Sequence, residues 1–191
     1  MRILFTDSET GGLDPRRHSL LQLAVVSYEV GKGMIAADEF YVKNDHYELT
    51  EEAMKINQLD VLNEVHIKGL YDHEACDRIV SFIERSFGQI ETKADRPILS
   101  GHNVGFDKSF MEYQLFDHYH TPMQKYISHR TLDIMSLLWG LHIAGKIPVE
   151  ACTSQGAFEY FGVDNKKAHT ALSDILASIE VFEKAMKLMK G

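Results

Sequence analysis

The sequence predicts an α/β fold in which an antiparallel meander of three strands is followed by helices that alternate with single strands. Strand-like apolar runs joined by short turns occupy the chain up to residue 42. From residue 50 onward, apolar residues recur at three- and four-residue steps, which is the spacing of amphipathic helices. No internal repeat, low-complexity segment or linker divides the 191 residues, and we therefore expect a single domain over residues 1–191.

The meander is predicted from three runs of strand-forming residues. The first is the apolar run at residues 3–5, and the second is the longer run at residues 19–30. The sequence Gly-Lys-Gly at residues 31–33 has the composition of a hairpin turn, and a third strand follows at residues 38–42. Three neighbouring strands with such short connections favour antiparallel pairing.

The later elements are predicted from capping residues and apolar stripes. Thr50 is the expected N-cap of a helix at residues 50–58, whose first turn holds two glutamates. A clearer amphipathic helix spans residues 72–87 and stops before Gly88. The remaining predicted elements are a strand at 97–100, a helix at 106–119, a strand at 126–133, a helix at 134–144, a helix capped by Thr153 and ending at Gly162, and a helix at 170–189.

The composition is that of a globular protein, with 45% hydrophobic and 25% charged residues. A formal net charge of −8 argues against broad electrostatic adhesion to nucleic acid or to an anionic membrane. It leaves room for a local phosphate site whose positive charge comes from bound metal. The two cysteines, Cys76 and Cys152, have no zinc-site spacing, and no apolar run is long enough to span a membrane. We therefore expect a cytoplasmic protein with no membrane partner.

Two carboxylates follow the first strand directly. Asp7 and Glu9 are two residues apart, so both side chains point to the same face of a strand, and Gly11 and Gly12 then end the extended run. Like charges held this close repel each other unless a cation lies between them, and hard oxygen ligands suit a divalent ion such as Mg²⁺. A strand that simply runs into an acidic turn is the alternative interpretation of these residues alone.

Two later segments carry further acidic residues. Asp107 falls in the first turn of a predicted helix, where it is either a metal ligand or a partner of the helix dipole. His169 and Asp174 are five residues apart, which separates two side chains by roughly 140° on a regular helix. We therefore place His169 on the loop before the last helix and Asp174 in the first turn of that helix. A surface histidine followed by a dipole-compensating aspartate is the alternative.

Together, the four acids and the histidine resemble the active-site residues of the DEDDh 3′–5′ exonucleases, a family that includes the proofreading subunit of bacterial DNA polymerase. The motifs that carry the resemblance are Asp7-Ser-Glu9-Thr10-Gly-Gly-Leu13, Asn103-x-x-Phe106-Asp107 and His169-x4-Asp174. Their order and separation are similar to those of the family over nearly the whole chain. Residues 49–57 are similar to a weaker family segment, although Asn57 stands where many members have histidine.

The resemblance implies a ribonuclease-H-like fold, with a mixed five-stranded sheet flanked by helices. It implies two Mg²⁺ or Mn²⁺ ions held by Asp7, Glu9, Asp107 and Asp174, and a role for His169 as the general base that takes a proton from the attacking water. It also implies that the substrate is single-stranded DNA or RNA, cleaved from the 3′ end into 5′-mononucleotides. The residues expected to contact the substrate are Thr10, Gly11, Leu13, His102, Asn103 and Phe106.

Two other functions remain open from the sequence. A non-catalytic nucleic-acid-binding or polymerase-associated module could keep the same fold, although an intact set of five active-site residues argues against it. A ribonuclease-H-like endonuclease uses clustered acids without a matching His-x4-Asp motif. The sequence does not choose between DNA and RNA, and it leaves open whether a polymerase subunit or a second copy of the chain is a partner.

Overall fold

The central feature of the fold is a mixed sheet of five strands in the order β3-β2-β1-β4-β5. The computed structural model describes residues 1–117, 121–164 and 170–190. Strands β1, β2 and β3 pair antiparallel, whereas β4 and β5 run parallel to β1. The predicted meander and the predicted five-stranded mixed sheet are therefore confirmed. The strands are β1 (Arg2–Thr10), β2 (Leu20–Glu29), β3 (Gly33–Tyr41), β4 (Ile98–Gly101) and β5 (Thr131–Asp133).

Helices cover both faces of this sheet. The α-helices of the described residues are α1 (Glu51–Asn57), α2 (His66–Lys68), α3 (Asp72–Phe87), α4 (Val104–Met111), α5 (Ile134–Ile143), α6 (Ser154–Phe161) and α7 (Ala171–Lys190). Thr50 caps α1 as predicted, since its side chain accepts a hydrogen bond from the Ala53 N–H. Within the described part of the chain, none of the helices combines the length and the apolar character needed to cross a bilayer.

The alternation of side chains along β1 divides the core into two clusters. Ile3 and Phe5 face α5, α6 and α7, whereas Leu4 faces α3 and α4. Phe5 makes edge-on ring contacts with Tyr28 of β2 and Phe182 of α7, with centroid distances of 5.6 and 5.5 Å. Such contacts add to the free energy gained by burying the rings. They anchor α7 directly against the first half of β1.

Two predicted strands have different boundaries in the structure. The strand predicted at residues 126–133 shortens to β5, because the N–H groups of Tyr126 and Ile127 both donate to the carbonyl of Met123 in a tight turn. The strand predicted at residues 38–42 begins earlier, because β3 pairs with β2 from Gly33 onward.

The helix predicted at residues 106–119 also differs. It begins at Val104 and continues as a π-helical turn at Glu112–Phe116, where hydrogen bonds reach five residues back. Residues 118–120 lie outside the described residues. A second π-helical turn, at Val61–Val65, leads into α2 and was not predicted.

Candidate active site

The second half of β1 carries two carboxylates on the face that packs against α7. This face is apolar at Ile3 and Phe5 and acidic at Asp7 and Glu9. Ligand oxygens of Asp7, Glu9 and Asp174 lie within 4.8 Å of one another. Acids predicted from two distant motifs therefore meet at one point of the structure.

Strands β2 and β3 hold the first turn of α7 beside these carboxylates. Gln22 Oε1 accepts a hydrogen bond from the first backbone N–H of α7 at 3.3 Å, and Glu39 Oε1 accepts one from the second at 2.8 Å. N–H groups at a helix start have no partner within the helix, so these side chains cap it. Gln22 also pairs across the sheet with Glu9. The strand pair that carries Glu9 thus also positions the helix turn that carries Asp174.

Asp107 approaches the same edge of the sheet from α4. Its side chain is buried, and its Oδ1 accepts a hydrogen bond from Ser8 Oγ at 2.6 Å. Because β1 and β4 are parallel, their carboxyl ends meet at one edge, and α4 begins there after β4. Asp107 is close enough to Asp7 and Glu9 to raise the pKa of both. It lies next to the three-carboxylate group of Asp7, Glu9 and Asp174 and is not a member of it.

Burial and mutual repulsion raise the pKa values of these acids. Burial is the main reason that the pKa of Asp7 lies well above its ordinary value, and Asp107, Glu9 and Asp174 raise it further. Burial and then Asp174 raise the pKa of Glu9 to about 7. Burial also raises the pKa of Asp107 to about 7, although the hydrogen bond from Ser8 favours the ionised form.

The cluster has the chemistry of a site for a divalent cation. In the described part of the chain, no lysine or arginine forms a salt bridge with Asp7, Glu9 or Asp107. Negative charge is therefore concentrated in a buried place, and the mutual repulsion of these carboxylates favours a bound cation. The donors are all carboxylate oxygens, which Mg²⁺ and Mn²⁺ prefer as ligands.

A cavity of about 530 Å³ opens beside Glu9. Three residues predicted to contact the substrate line it, namely Thr10, Leu13 and Phe106. The side chain of Leu13 is 84% exposed, and Ile56 of α1 adds a second exposed apolar group to the lining. The cavity therefore offers apolar surface directly next to the carboxylates.

Gly11, also predicted to contact the substrate, is not part of this lining and has a structural role. Its N–H donates to the Ser19 carbonyl at 2.7 Å, and its own carbonyl accepts from the Thr50 N–H at 2.6 Å. A Cβ atom at this position would collide with the carbonyl oxygen of Glu48. The absence of a side chain lets the end of β1 approach the segment that leads into α1.

Asn57 is buried in the wall of the same cavity. Its side-chain N–H donates to the Thr10 carbonyl at 3.1 Å, and its side-chain oxygen accepts from the Leu59 N–H at 3.2 Å. Both ends of the amide are therefore used inside the protein. This residue ties the C-terminal end of α1 to the strand that carries the acids.

His102 and Asn103 connect β4 to α4, the helix that carries Asp107. Asn103 has a left-handed backbone, with φ of 60°, and its N–H donates to Asp133 Oδ1 at 2.9 Å. Asp133 also caps α5 by accepting from the Met135 N–H. Burial lowers the pKa of His102, and the neighbouring Asp133 opposes that effect.

Sequence reasoning missed the supporting roles of Asp133 and Glu39, which lie outside the motifs, and of Ser8, which stands between Asp7 and Glu9 in the first motif. The one available signal was the position of Asp133 at the end of a predicted strand that runs to residue 133. The predicted general base, His169, lies outside the described residues.

Comparison with known proteins agrees with this geometry. A family model for exonucleases, RNase_T, matches residues 4–182. The chain belongs to this exonuclease family. It is a DnaQ-like 3′–5′ exonuclease of the ribonuclease-H-like superfamily.

Relatives of this exonuclease include two bacterial enzymes named ribonuclease T. The one from Shewanella denitrificans is 28% identical over 183 residues, which is 92% of this chain and 76% of the relative. The one from Yersinia enterocolitica is 27% identical over 185 residues, which is 92% of this chain and 80% of the relative.

Solved structures of E. coli exonuclease I share the fold. A complex with a dT13 oligonucleotide superposes with a TM-score of 0.77 at 21% identity over 98% of this chain, and a zinc-bound complex with single-stranded DNA has a TM-score of 0.80 at 20% identity over 99% of it. This exonuclease spans 40% of the length of the first of those chains and 42% of the second. Membership of the exonuclease family implies dependence on a divalent metal, and the three-carboxylate group is a fitting place for it.

Proposed function

We propose that this chain, as one exonuclease domain over residues 1–191, hydrolyses single-stranded DNA or RNA from the 3′ end and releases 5′-mononucleotides. The observation that carries the proposal is the group formed by Asp7, Glu9 and Asp174, whose ligand oxygens lie within 4.8 Å of one another, with Glu9 also lining an open cavity. A cation held there can reach a phosphodiester whose terminal nucleotide occupies the cavity.

In this proposal, two Mg²⁺ or Mn²⁺ ions bind between the four acids. Asp7 would serve both ion sites, Glu9 and Asp174 would complete one of them, and Asp107 would support the other directly or through water. When bound, such ions polarise the attacking water and stabilise the charge that develops on the leaving oxygen. The raised pKa values of Glu9 and Asp107 support the assignment. They show that burial and neighbouring carboxylates disfavour the ionised forms, which bound cations would stabilise.

We assign the proton transfer to His169. An imidazole with an ordinary pKa of ~6.5 can accept a proton from water near neutral pH. The sequence places it five residues before Asp174, and the described part of α7 puts Asp174 in the first turn of the helix, at the carboxylate group. We propose that His169 reaches the attacking water from the chain segment that precedes α7.

The terminal nucleotide is proposed to lie in the cavity beside Glu9. Phe106 and Leu13 offer apolar surface for the base, since stacking on such side chains is tolerant of base identity. Thr10 lines the cavity next to Glu9, and Gly11, which lies outside the lining, is proposed to act by letting the end of β1 approach the segment before α1. His102 and Asn103 are proposed to contact the strand near the scissile phosphate, because they connect β4 to α4, whose first turn carries Asp107.

The relatives point to both kinds of substrate. The name ribonuclease T refers to RNA, whereas the exonuclease I structures contain dT13 and dA16 oligonucleotides. One exonuclease I structure contains the SSB C-terminal peptide. For this chain we propose single-stranded 3′ ends as the partner, and the preference between DNA and RNA is part of the test. A polymerase subunit or a second copy of the chain is a further candidate partner.

The decisive experiment is a product ladder from 5′-labelled DNA and RNA oligonucleotides, with free or blocked 3′ ends. We expect stepwise shortening that needs Mg²⁺ or Mn²⁺, stops in EDTA and fails on blocked ends. A circular single strand should remain intact, and its cleavage would indicate an endonuclease. Binding without cleavage under all conditions would indicate a non-catalytic module.

Two matched variants locate the activity. Asp7→Asn should abolish cleavage while the protein stays folded, whereas Asp77→Asn, the same change at an exposed position of α3, should leave the rate unchanged. His169→Ala should lower turnover by ~10²–10⁴-fold, the usual contribution of a general base, and leave metal binding intact. Equal activity of Asp7→Asn and Asp77→Asn would contradict the proposal, and loss of metal affinity in His169→Ala would make the histidine a ligand.

A further inference from the structure

An arginine and a tyrosine that no motif includes form a fixed pair near the proposed substrate cavity. Arg16 Nη2 donates a hydrogen bond to Tyr113 Oη at 2.7 Å, and the guanidinium carbon lies 4.9 Å from the centroid of the Tyr113 ring. The adjacent Gln114 Nε2 donates to the Pro15 carbonyl at 2.7 Å. Two neighbouring contacts therefore tie the loop after β1 to the π-helical turn that extends α4.

The guanidinium of Arg16 is held in place yet remains exposed. One of its N–H groups bonds to the tyrosine, and no carboxylate among residues 1–117, 121–164 and 170–190 forms a salt bridge with it. The carboxylate of Asp14 accepts instead from the backbone N–H of Arg16, at 3.0 Å. Within the described residues, Arg16 is thus an ordered, exposed cation whose remaining N–H donors can bind an anionic ligand.

Tyr113 lies on the π-helical turn that continues α4, the helix that carries the cavity residue Phe106. Phe106 lines the cavity at the start of α4, and Tyr113 follows seven residues later, which is about 10 Å along a helix axis. That distance corresponds to roughly three stacked nucleotides at ~3.4 Å each. On the other chain segment, Arg16 follows the cavity residue Leu13 by three positions.

We propose that Arg16 and Tyr113 together bind a backbone phosphate of the substrate strand, two to three nucleotides upstream of its 3′ end. This inference rests on the proposed function, since it needs a strand whose terminal nucleotide occupies the cavity. The planar guanidinium offers paired N–H donors that match the oxygens of a phosphate. Tyr113 Oη accepts from Arg16, so its own hydroxyl proton can be donated to the same phosphate.

The neighbouring residue Arg17 supplies a matched control. It is also exposed, but its side chain makes no hydrogen bond, salt bridge or ring contact with the part of the chain that the structure describes. Arg16→Gln and Arg17→Gln therefore remove the same charge from adjacent positions, one ordered and one not. Tyr113→Phe keeps the ring under the guanidinium and removes only the hydroxyl.

Binding is measured first, by fluorescence anisotropy of a 5′-labelled thymidine hexanucleotide in EDTA, where cleavage is prevented. We expect Arg16→Gln to raise the Kd about two- to fivefold, the range for an exposed charge pair, and Arg17→Gln to leave it unchanged. The plot of log Kd against log salt concentration should lose about 0.7 in slope in Arg16→Gln, because one phosphate contact with a single strand is gone. Arg16→Lys should keep the salt slope, and Tyr113→Phe should weaken binding less than Arg16→Gln does.

Cleavage then separates a phosphate contact from a structural role. With Mg²⁺, Arg16→Gln should raise KM for the hexanucleotide at unchanged kcat and leave a dinucleotide substrate unaffected, because the dinucleotide does not extend to this position. Equal effects of Arg16→Gln and Arg17→Gln, or a dinucleotide KM raised as much as the hexanucleotide KM, would overturn the inference. If the wild type binds the hexanucleotide but never cleaves it, the proposed function fails, whereas the Kd and salt slope of Arg16→Gln still decide this inference.

Discussion

The acidic cluster should make the metal-free protein less stable as the pH rises towards neutrality. Burial and Asp174 raise the pKa of Glu9 from its ordinary 4.5 to about 7 in the folded state. The folded state therefore holds the Glu9 proton more tightly than the unfolded chain does. Protonation of Glu9 favours folding fully below pH ~4.5, and this advantage is lost as the pH rises through about 7.

The expected size of the effect follows from these two values. At ~1.4 kcal/mol for each unit of pKa, the rise at Glu9 corresponds to roughly 3 kcal/mol of unfolding free energy at pH above 7. Asp107 shifts in the same direction, but the two acids share their environment, so the values do not add. A loss of about 3 kcal/mol is a large part of the stability of an ordinary domain.

The assay is urea unfolding in EDTA between about pH 5 and about pH 8, repeated with excess Mg²⁺. The wild type should lose stability with pH in EDTA and regain much of it at neutral pH when Mg²⁺ binds the folded state. Asp7→Asn removes a buried acid whose pKa is strongly raised, so this variant should be more stable than the wild type in EDTA at pH ~8 and gain little from Mg²⁺. Asp77→Asn should follow the wild type. A flat wild-type profile in EDTA, or the same behaviour in both variants, would refute the reasoning.

Three further variants test the supports of the site. Ser8→Ala removes the hydrogen bond that favours ionised Asp107, so the pKa of Asp107 should rise. The Mg²⁺ concentration for half-maximal activity at pH ~6.5 should therefore increase, and an unchanged Mg²⁺ concentration would contradict this reasoning. Gly11→Ala brings a methyl group against the Glu48 carbonyl and should lower the free energy of unfolding in urea by ~1–3 kcal/mol, together with kcat/KM. Wild-type stability of this variant would show that the neighbouring loop moves aside without cost. Asn57→Ala leaves a buried carbonyl at the end of β1 without its donor and should cost about 1–3 kcal/mol, so an effect on KM alone would make Asn57 a substrate contact.

The sequence was most informative where one residue pattern fixed both local structure and chemistry. Asp7 and Glu9 follow a buried apolar run at a spacing of two, so their shared face could be predicted before any fold was known. Asp174 falls in the first turn of a helix with a long apolar stripe, and the structure places it there. The meeting of Asp7 and Asp174 could not be derived from spacing and came from the family resemblance.

The sequence was least informative where long-range contacts decide the role of a residue. Asp133 caps α5 locally, but its hydrogen bond to the Asn103 N–H depends on the parallel pairing of β4 and β5. Asn57 stands where many family members have histidine, which suggests a substrate contact. The side-chain nitrogen and oxygen of Asn57 nevertheless both form hydrogen bonds within the protein. Nothing in the neighbouring sequence could show that Gln22 and Glu39 supply the first-turn acceptors of α7, because 149 and 133 residues separate them from the N–H groups that they bind.

Strand β1 explains how the protein can hold so many acids together. Its first half buries Ile3 and Phe5 against α7, with Phe182 in ring contact, and this apolar contact fixes the helix against the sheet. The second half presents Asp7 on the same face, so the helix that is anchored by the core must bring Asp174 to it. The free energy of this packing, a few residues away, offsets the repulsion between Asp7 and Asp174 when no metal is bound. Rigid placement of the acids and a metal-sensitive stability thus have one structural origin, the change from apolar to acidic side chains along one face of β1.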